Sequence, residues 1–301
     1  MSKAPQRRSA PEQQPGDPET TGHEWDGIRE FDNPMPRWWL WVFYLTIIWG
    51  IGYTIAYPAW PLISQATPGL LGYSTRAEVA REVARVDAAN AGIEARLAAA
   101  ELDAITADPE LKSYALNAGA SVFRTFCAQC HGAGAAGVQA SGYPNLLDDD
   151  WLWGGDMAAI RQTVTHGIRN TDDPEARFSE MPAFGEILSE PEIGEAAEYV
   201  LKLSGQEYDP GLAAAGEQVF LNNCAACHGD SGEGTRDLGA PRLNDAIWLY
   251  GGDREAIAAQ ITAPRNGVMP NWNKRLSEAE IRAVTTYVYG LGGGEATPPA
   301  Q

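Results

Sequence analysis

Two Cys-x-x-Cys-His pentads, 97 residues apart, constrain this 301-residue chain more than any other feature. They read Cys127-Ala-Gln-Cys130-His131 and Cys224-Ala-Ala-Cys227-His228, and they hold all four cysteines of the protein. The spacing is the attachment signature of c-type haem. Two thiols add across the vinyl groups of the macrocycle, and the adjacent histidine turns back to ligate the iron. A zinc site of four thiolates would draw on the same residues but has no need of a histidine after each pair. The expected cofactors are two covalently bound haem c groups, attached at Cys127, Cys130, Cys224 and Cys227, with His131 and His228 as axial ligands.

Such an iron needs a sixth ligand, and a methionine thioether suits an electron carrier because it raises the reduction potential. Met181-Pro182 lies 50 residues after His131 (181 − 131), and Met269-Pro270 lies 41 after His228 (269 − 228). Met1 and Met35 precede both motifs, and Met157 falls in a helical stretch with Arg254 as its counterpart in the second half. Met181 and Met269 are therefore the expected distal ligands. Which methionine serves which histidine stays open, either within each copy or exchanged between them.

An internal repeat supports this reading. A shift of 97 places Gly119 on Gly216, Phe123 on Phe220, Pro144 on Pro241 and Trp151 on Trp248. Beyond the middle of the unit the shift becomes 88, placing Met181 on Met269, Leu188 on Leu276 and Tyr199 on Tyr287. The difference of nine residues (97 − 88) is a surface insertion in the first copy, around Asn170 to Ser179. Ser189 and Ser277 are expected N-caps of closing helices, with carboxylates following at the positive end of the dipole. Ile193, Val200, Ile281 and Val288 continue those helices at helical spacing. The expected fold is mainly α: one N-terminal transmembrane helix followed by two tandem class I cytochrome c domains.

Trp38 to Tyr57 is a 20-residue stretch without a charge, and a helix of that length spans a bilayer at ~1.5 Å per residue. Aromatic residues flank both ends, as they do at membrane interfaces. Because haem is attached outside the bacterial inner membrane, the C-terminal bulk is expected in the periplasm and the N-terminus in the cytoplasm. Arg29 and Arg37 on the N-terminal flank agree, since no Lys or Arg follows the span until Arg76. The layout is then residues 1–37 tail and juxtamembrane segment, 38–57 span, 58–112 periplasmic linker with a helix, 113–205 first cytochrome domain and 206–294 second. Thr75-x-x-Glu78 reads as a capping box, opening a linker helix with Val79, Val83, Val86, Ile93 and Leu97 on one face. That face covers the domains or docks a partner.

Residues 62 to 301 carry 33 acidic and 17 basic side chains, a balance of −16. Such a surface steers a basic protein partner toward it and excludes nucleic acid as a partner. Trp151 and Trp248 are expected near the haems, Arg169 and Arg265 beside their propionates, and Asp148-Asp149-Asp150 in a solvated turn. His166 has no partner at metal spacing and reads as a packing or surface histidine.

Before the span the chain reads Asp32-Asn33-Pro34-Met35-Pro36-Arg37-Trp38-Trp39. This run, followed by one span and two cytochrome units, resembles the dihaem subunit of cbb3-type cytochrome c oxidases over residues 22 to 292. The resemblance implies electron relay from a cytochrome c donor, through a monohaem c-type subunit, to the catalytic haem b/copper subunit. Catalytic residues are not expected in the chain itself, because irons ligated by His and Met leave no open position for oxygen. The competing readings are an anchored dihaem carrier serving another respiratory enzyme and a dihaem peroxidase.

Overall fold

The computed structural model describes residue 16 and residues 18–296, so residues 1–15 and 17 of the expected tail lie outside the described residues. The chain divides into two compact units, up to Val86 and from Asp87 onward.

The first unit begins with a hairpin, β1 (Thr20–Trp25) and β2 (Ile28–Phe31), paired antiparallel with Trp25 opposite Ile28. Asp26 and Gly27 turn it with φ of 51° and 84°, the conformation that Asp-Gly favours in two-residue hairpin loops. The dipeptide was the available signal for this element. Helix α1 (Arg37–Ala56) is the membrane span, one residue earlier than its apolar stretch suggests. Tyr57 leaves the helix in an extended conformation, as the residue before Pro58 tends to. The amides of Leu70 and Leu71 return to the carbonyls of Ile55 and Ala56 at 2.9 and 3.0 Å, satisfying the end of the helix.

Helix α2 covers Thr75–Ala99. Its cap is Ser74, whose hydroxyl accepts from the Ala77 amide at 3.3 Å. Thr75 is already helical, and Glu78 takes the hydroxyl of Tyr73 in place of closing a box. In the first unit Val79, Val83 and Val86 stand exposed. In the second unit Ile93 and Leu97 do pack, Leu97 completely.

The second unit holds α3 (Leu102–Ala107), α4 (Pro109–Val122), α5 (Ala128–His131), α6 (Met157–His166), α7 (Glu190–Leu203), α8 (Pro210–Asn223), α9 (Ala225–His228), α10 (Arg254–Thr262) and α11 (Glu278–Tyr289). The copies are tandem in sequence but interleaved in space. Helix α4, which opens the first copy, packs on α11, which closes the second, while α7 of the first copy packs on α8 of the second.

Both crossings are tight because each has a glycine at the point of contact. A β-carbon on Gly119 would lie 2.2 Å from the Ala283 carbonyl oxygen, and one on Gly216 would lie 1.9 Å from that of Glu195. Aromatic pairs fill the space beside them, Phe123 with Tyr287 at 5.5 Å and Tyr199 with Phe220 at 5.2 Å. The closing helices start as expected, with Ser189–Glu192 and Ser277–Glu280 forming reciprocal capping boxes.

Two cores result, each drawn from both copies. One joins Val122, Phe123 and Ile160 to Trp272, Val284 and Val288. The other joins Phe184, Ile193 and Val200 to Phe220, Ile257 and Ile261. A third cluster, Leu97, Ile105 and Leu111 with Ala279 and Ala283, covers the α4–α11 crossing.

Candidate functional site

A turn of π-helix at Phe123–Cys127 follows α4 and leads into the short helix α5, which carries Cys130 and His131. The loop beyond returns so that the Pro144 carbonyl meets His131 Nδ1 at 3.2 Å. The second pentad repeats the device, with the Pro241 carbonyl 2.9 Å from His228 Nδ1. A carbonyl on Nδ1 selects the tautomer whose Nε2 is free to ligate and sets the ring's direction. Burial pushes both imidazoles below their ordinary pKa, partly offset by these carbonyls. The rings are thus neutral at physiological pH, as a metal-binding imidazole must be.

Beside His131 lies an open-mouthed cavity of about 190 Å³. Its walls include Cys127, Cys130, His131 and Trp151 from the first copy, and Met269, Trp272, Val284 and Val288 from the second. Met181 packs instead in the other core, against the cluster that holds Cys224, Phe220 and Ile257. The backbone brings Met269 to the first cavity directly: Ile168 and Met269 exchange amide–carbonyl bonds of 2.9 and 3.0 Å.

These residues fit a covalent haem. The cavity is apolar and open at its mouth, the thiols and the histidine lie together in its wall, and a thioether comes from another segment of that wall. The indole N–H of Trp153, also in the wall, is buried without a partner and leaves a donor for a polar edge of the group. Burial pushes the Cys127 and Cys224 thiols up to about 11, which disfavours the thiolates that a zinc site requires. The two pentads also lie in different cores.

Trp151 lines the first cavity and Trp248 packs against the second core. Met157 is buried packing in α6. Arg169 reaches the first cavity but spends its guanidinium on the Gly267 and Ser179 carbonyls, at 2.7 and 2.8 Å. Arg265 lies over the Tyr250 ring at 4.2 Å.

One further outcome differs from the sequence reading. The acidic run is not fully solvated: Asp148 and Asp150 are half-buried, and burial first, then Asp245 and Asp148, push Asp150 up to about 6. His166 packs against Asp173 at 3.1 Å and Glu175 at 3.2 Å, both inside the insertion of the first copy. Tyr250 abuts Gly142 and Trp153 abuts Gly239, so the copies also touch through a reciprocal pair of aromatic contacts.

Fold and site together define a membrane-anchored cytochrome c. Comparison with known proteins places it further. Residues 17–64 match the N-terminal domain of cytochrome oxidase-cbb3, FixP, and residues 115–200 and 211–288 match the family of cytochrome c oxidase, cbb3-type, subunit III. The chain is 63% identical over 285 residues to the cbb3-type cytochrome c oxidase subunit CcoP of Cereibacter sphaeroides, covering 94% of this chain and 98% of that one. It is 53% identical to the FixP subunit of Sinorhizobium medicae, covering 92% and 95%, and 51% identical to that of Azorhizobium caulinodans, covering 98% and 100%. The chain belongs to this family of CcoP/FixP subunits of cbb3-type cytochrome c oxidase. It is an electron-transfer subunit that binds haem c and works with the other subunits of the complex, not itself the catalyst.

Proposed function

We propose that the chain carries two covalent haems c with exchanged distal ligands. One is attached at Cys127 and Cys130 and held between His131 and Met269. The other is attached at Cys224 and Cys227 and held between His228 and Met181. The observation that carries this reading is the presence of Met269, with His131 and both first-motif cysteines, in the wall of one cavity. The packing of Met181 into the core that contains Cys224 supports the second half.

When bound, each haem supplies reversible one-electron exchange at iron. The protein's own residues attach it, exclude water from it with Phe123, Val284 and Val288, and orient His131 and His228 through the proline carbonyls. With a histidine and a methionine holding it, each haem would have no place left for oxygen, so the chain would relay electrons without binding oxygen. Electrons enter from a cytochrome c donor attracted by the acidic surface. They leave through a monohaem c-type subunit toward the haem b/copper subunit. Residues 38–57 cross the inner membrane, 1–37 lie in the cytoplasm, and the linker at 58–112 with the cytochrome copies at 113–205 and 206–294 lies in the periplasm.

The test is purification of a tagged chain from gently solubilised membranes. Two c haems per chain, with haem b, copper and cyanide-sensitive oxygen uptake co-purifying, are expected. A lone c-type spectrum without oxygen uptake would count against the relay.

A further inference from the structure

The insertion Asn170–Ser179 distinguishes the first copy from the second, and its side chains close on the loop that bears Met269. Asn170 donates to Asn271 Oδ1 at 2.7 Å, Asn271 donates to Asn273 Oδ1 at 2.7 Å, and Asn273 donates to Asp173 Oδ2 at 2.6 Å. The three amides therefore point one way and end on a carboxylate, an order in which each bond polarises the next.

Asp173 and Asn271 are both buried, 8% and 7% exposed. Asp173 is itself anchored, accepting the Glu175 amide at 2.9 Å and lying 3.1 Å from His166 Nδ1. Those bonds, the Glu175 amide first, hold its carboxyl below the usual range, so the acceptor is charged at neutral pH. Lys274 adds a bond to the Asp172 carbonyl at 2.8 Å. Beneath the network, Gly167 has φ of 78°, and a β-carbon there would stand 2.3 Å from the Met269 carbonyl oxygen. Backbone pairing with Ile168 needs that space. The other ligand loop has nothing equivalent: among the described residues, no backbone hydrogen bond joins Met181 to the segment between α10 and Met269.

We propose that the insertion is a latch for the distal-ligand loop of the other copy, with Asp173 as a positioning residue that acts on Met269 through Asn273 and Asn271. This rests on the reading of Met269 and Met181 as haem ligands. The latch makes the two sites unequal. Met269 is held against dissociation from iron by a network that Met181 lacks, so the Met181 site is the first to lose its thioether.

The test uses the full-length, haem-loaded chain in detergent. In a Met181→His background, the far-red iron–thioether band of the oxidised protein comes from Met269 alone. In a Met269→His background it comes from Met181 alone. Imidazole titration of that band reads the fraction of haem that has released its methionine. Asp173→Ala is expected to raise that fraction about tenfold in the first background, the scale of one lost hydrogen bond to a charged group, and to leave the second unchanged. Asp173→Asn, which keeps one acceptor oxygen, is expected to fall between.

Equal shifts in both backgrounds, or none in the first, overturn the latch. If Asp173→Ala does not accumulate, Asn273→Ala, a truncation at an exposed position, makes the same comparison. Neither readout depends on which iron each methionine reaches. A missing band in both parent backgrounds would overturn the ligand reading and the latch together, before Asp173 is touched.

Discussion

Ile168 and Met269, 101 positions apart (269 − 168), exchange both backbone hydrogen bonds, at 2.9 and 3.0 Å. The pair stitches a loop of the second copy onto a loop of the first. It holds the Met269 segment in the wall of the cavity beside His131. A repeat visible in sequence is thus divided in space, and each core is assembled from both copies.

That division predicts how the ligands respond when one haem is removed. With Cys127→Ala and Cys130→Ala, only the haem at Cys224 and Cys227 remains. Its thioether band is expected to vanish on adding Met181→Ala and to survive Met269→Ala. The complementary pair, Cys224→Ala and Cys227→Ala, is expected to show the opposite dependence. Persistence of the first haem's band in the absence of Met269 would refute the exchange.

The crossing glycines predict a local and separable effect. A β-carbon at Gly119 meets the Ala283 carbonyl and one at Gly216 meets that of Glu195, so Ala at either site forces two helices apart. Overpacking of this kind costs about 1–3 kcal/mol. Gly119→Ala is expected to broaden and shift the spectrum of the His131 haem, and Gly216→Ala that of the His228 haem. Circular dichroism in the haem bands of the single-haem proteins measures this. Identical behaviour of both haems in both variants would argue against two separate crossings.

Much of this was legible in sequence and some was not, for physical reasons. Cys127, His131 and their counterparts are bound by local covalent spacing, and Trp38 to Tyr57 by uninterrupted apolarity, so both were readable. Ser189 and Ser277 also announced their capping boxes, which are local bonds. The partner of Met269 was not readable, because α4 finds α11 and not α7 through long-range packing, and Tyr199 and Tyr287 are the same residue in both copies. Nor was the role of Asp173, since an insertion of Asn, Asp and Ser has the composition of any surface loop. The exposure of Val79, Val83 and Val86 shows the converse limit, where helical periodicity was correct but no neighbour in the first unit covers the face.

Asp150 predicts a gain in stability on substitution. Its folded pKa, about 6, lies above the ordinary 3.8, with burial the leading cause and Asp245 and Asp148 next. A raised carboxyl penalises folding once the group is ionised. The penalty is therefore absent below about pH 4, grows between pH 4 and 6 and is full above that. Asp150→Asn is expected to stabilise the chain at pH 7 by about 1 kcal/mol after solvent screening, and to be neutral at pH 3.5. Thermal unfolding at both pH values checks it, and a loss at pH 7 would mean that the carboxylate has a favourable partner.

Glu198 predicts the opposite sign. It is 3% exposed, pairs with Arg254 across the copies, and accepts the Asp209 amide at 2.7 Å. The Arg254 guanidinium leads in holding its carboxyl below the ordinary 4.5. A depressed carboxyl contributes stability that is present above the unfolded value and is lost as pH falls through the folded one. Acidification below about pH 4.5 should therefore weaken the α7–α8 core, whose elements Glu198 and Asp209 join. Glu198→Gln is expected to cost about 2 kcal/mol at pH 7, as loss of a hydrogen-bonded charge does, and to flatten the acid limb of the stability curve. Because that core holds Met181 and Cys224, the effect should be read first at the His228 haem. Denaturant titrations followed at the haem bands from pH 3 to 7 would separate the curves, and parallel curves would show that Glu198 contributes nothing through its charge.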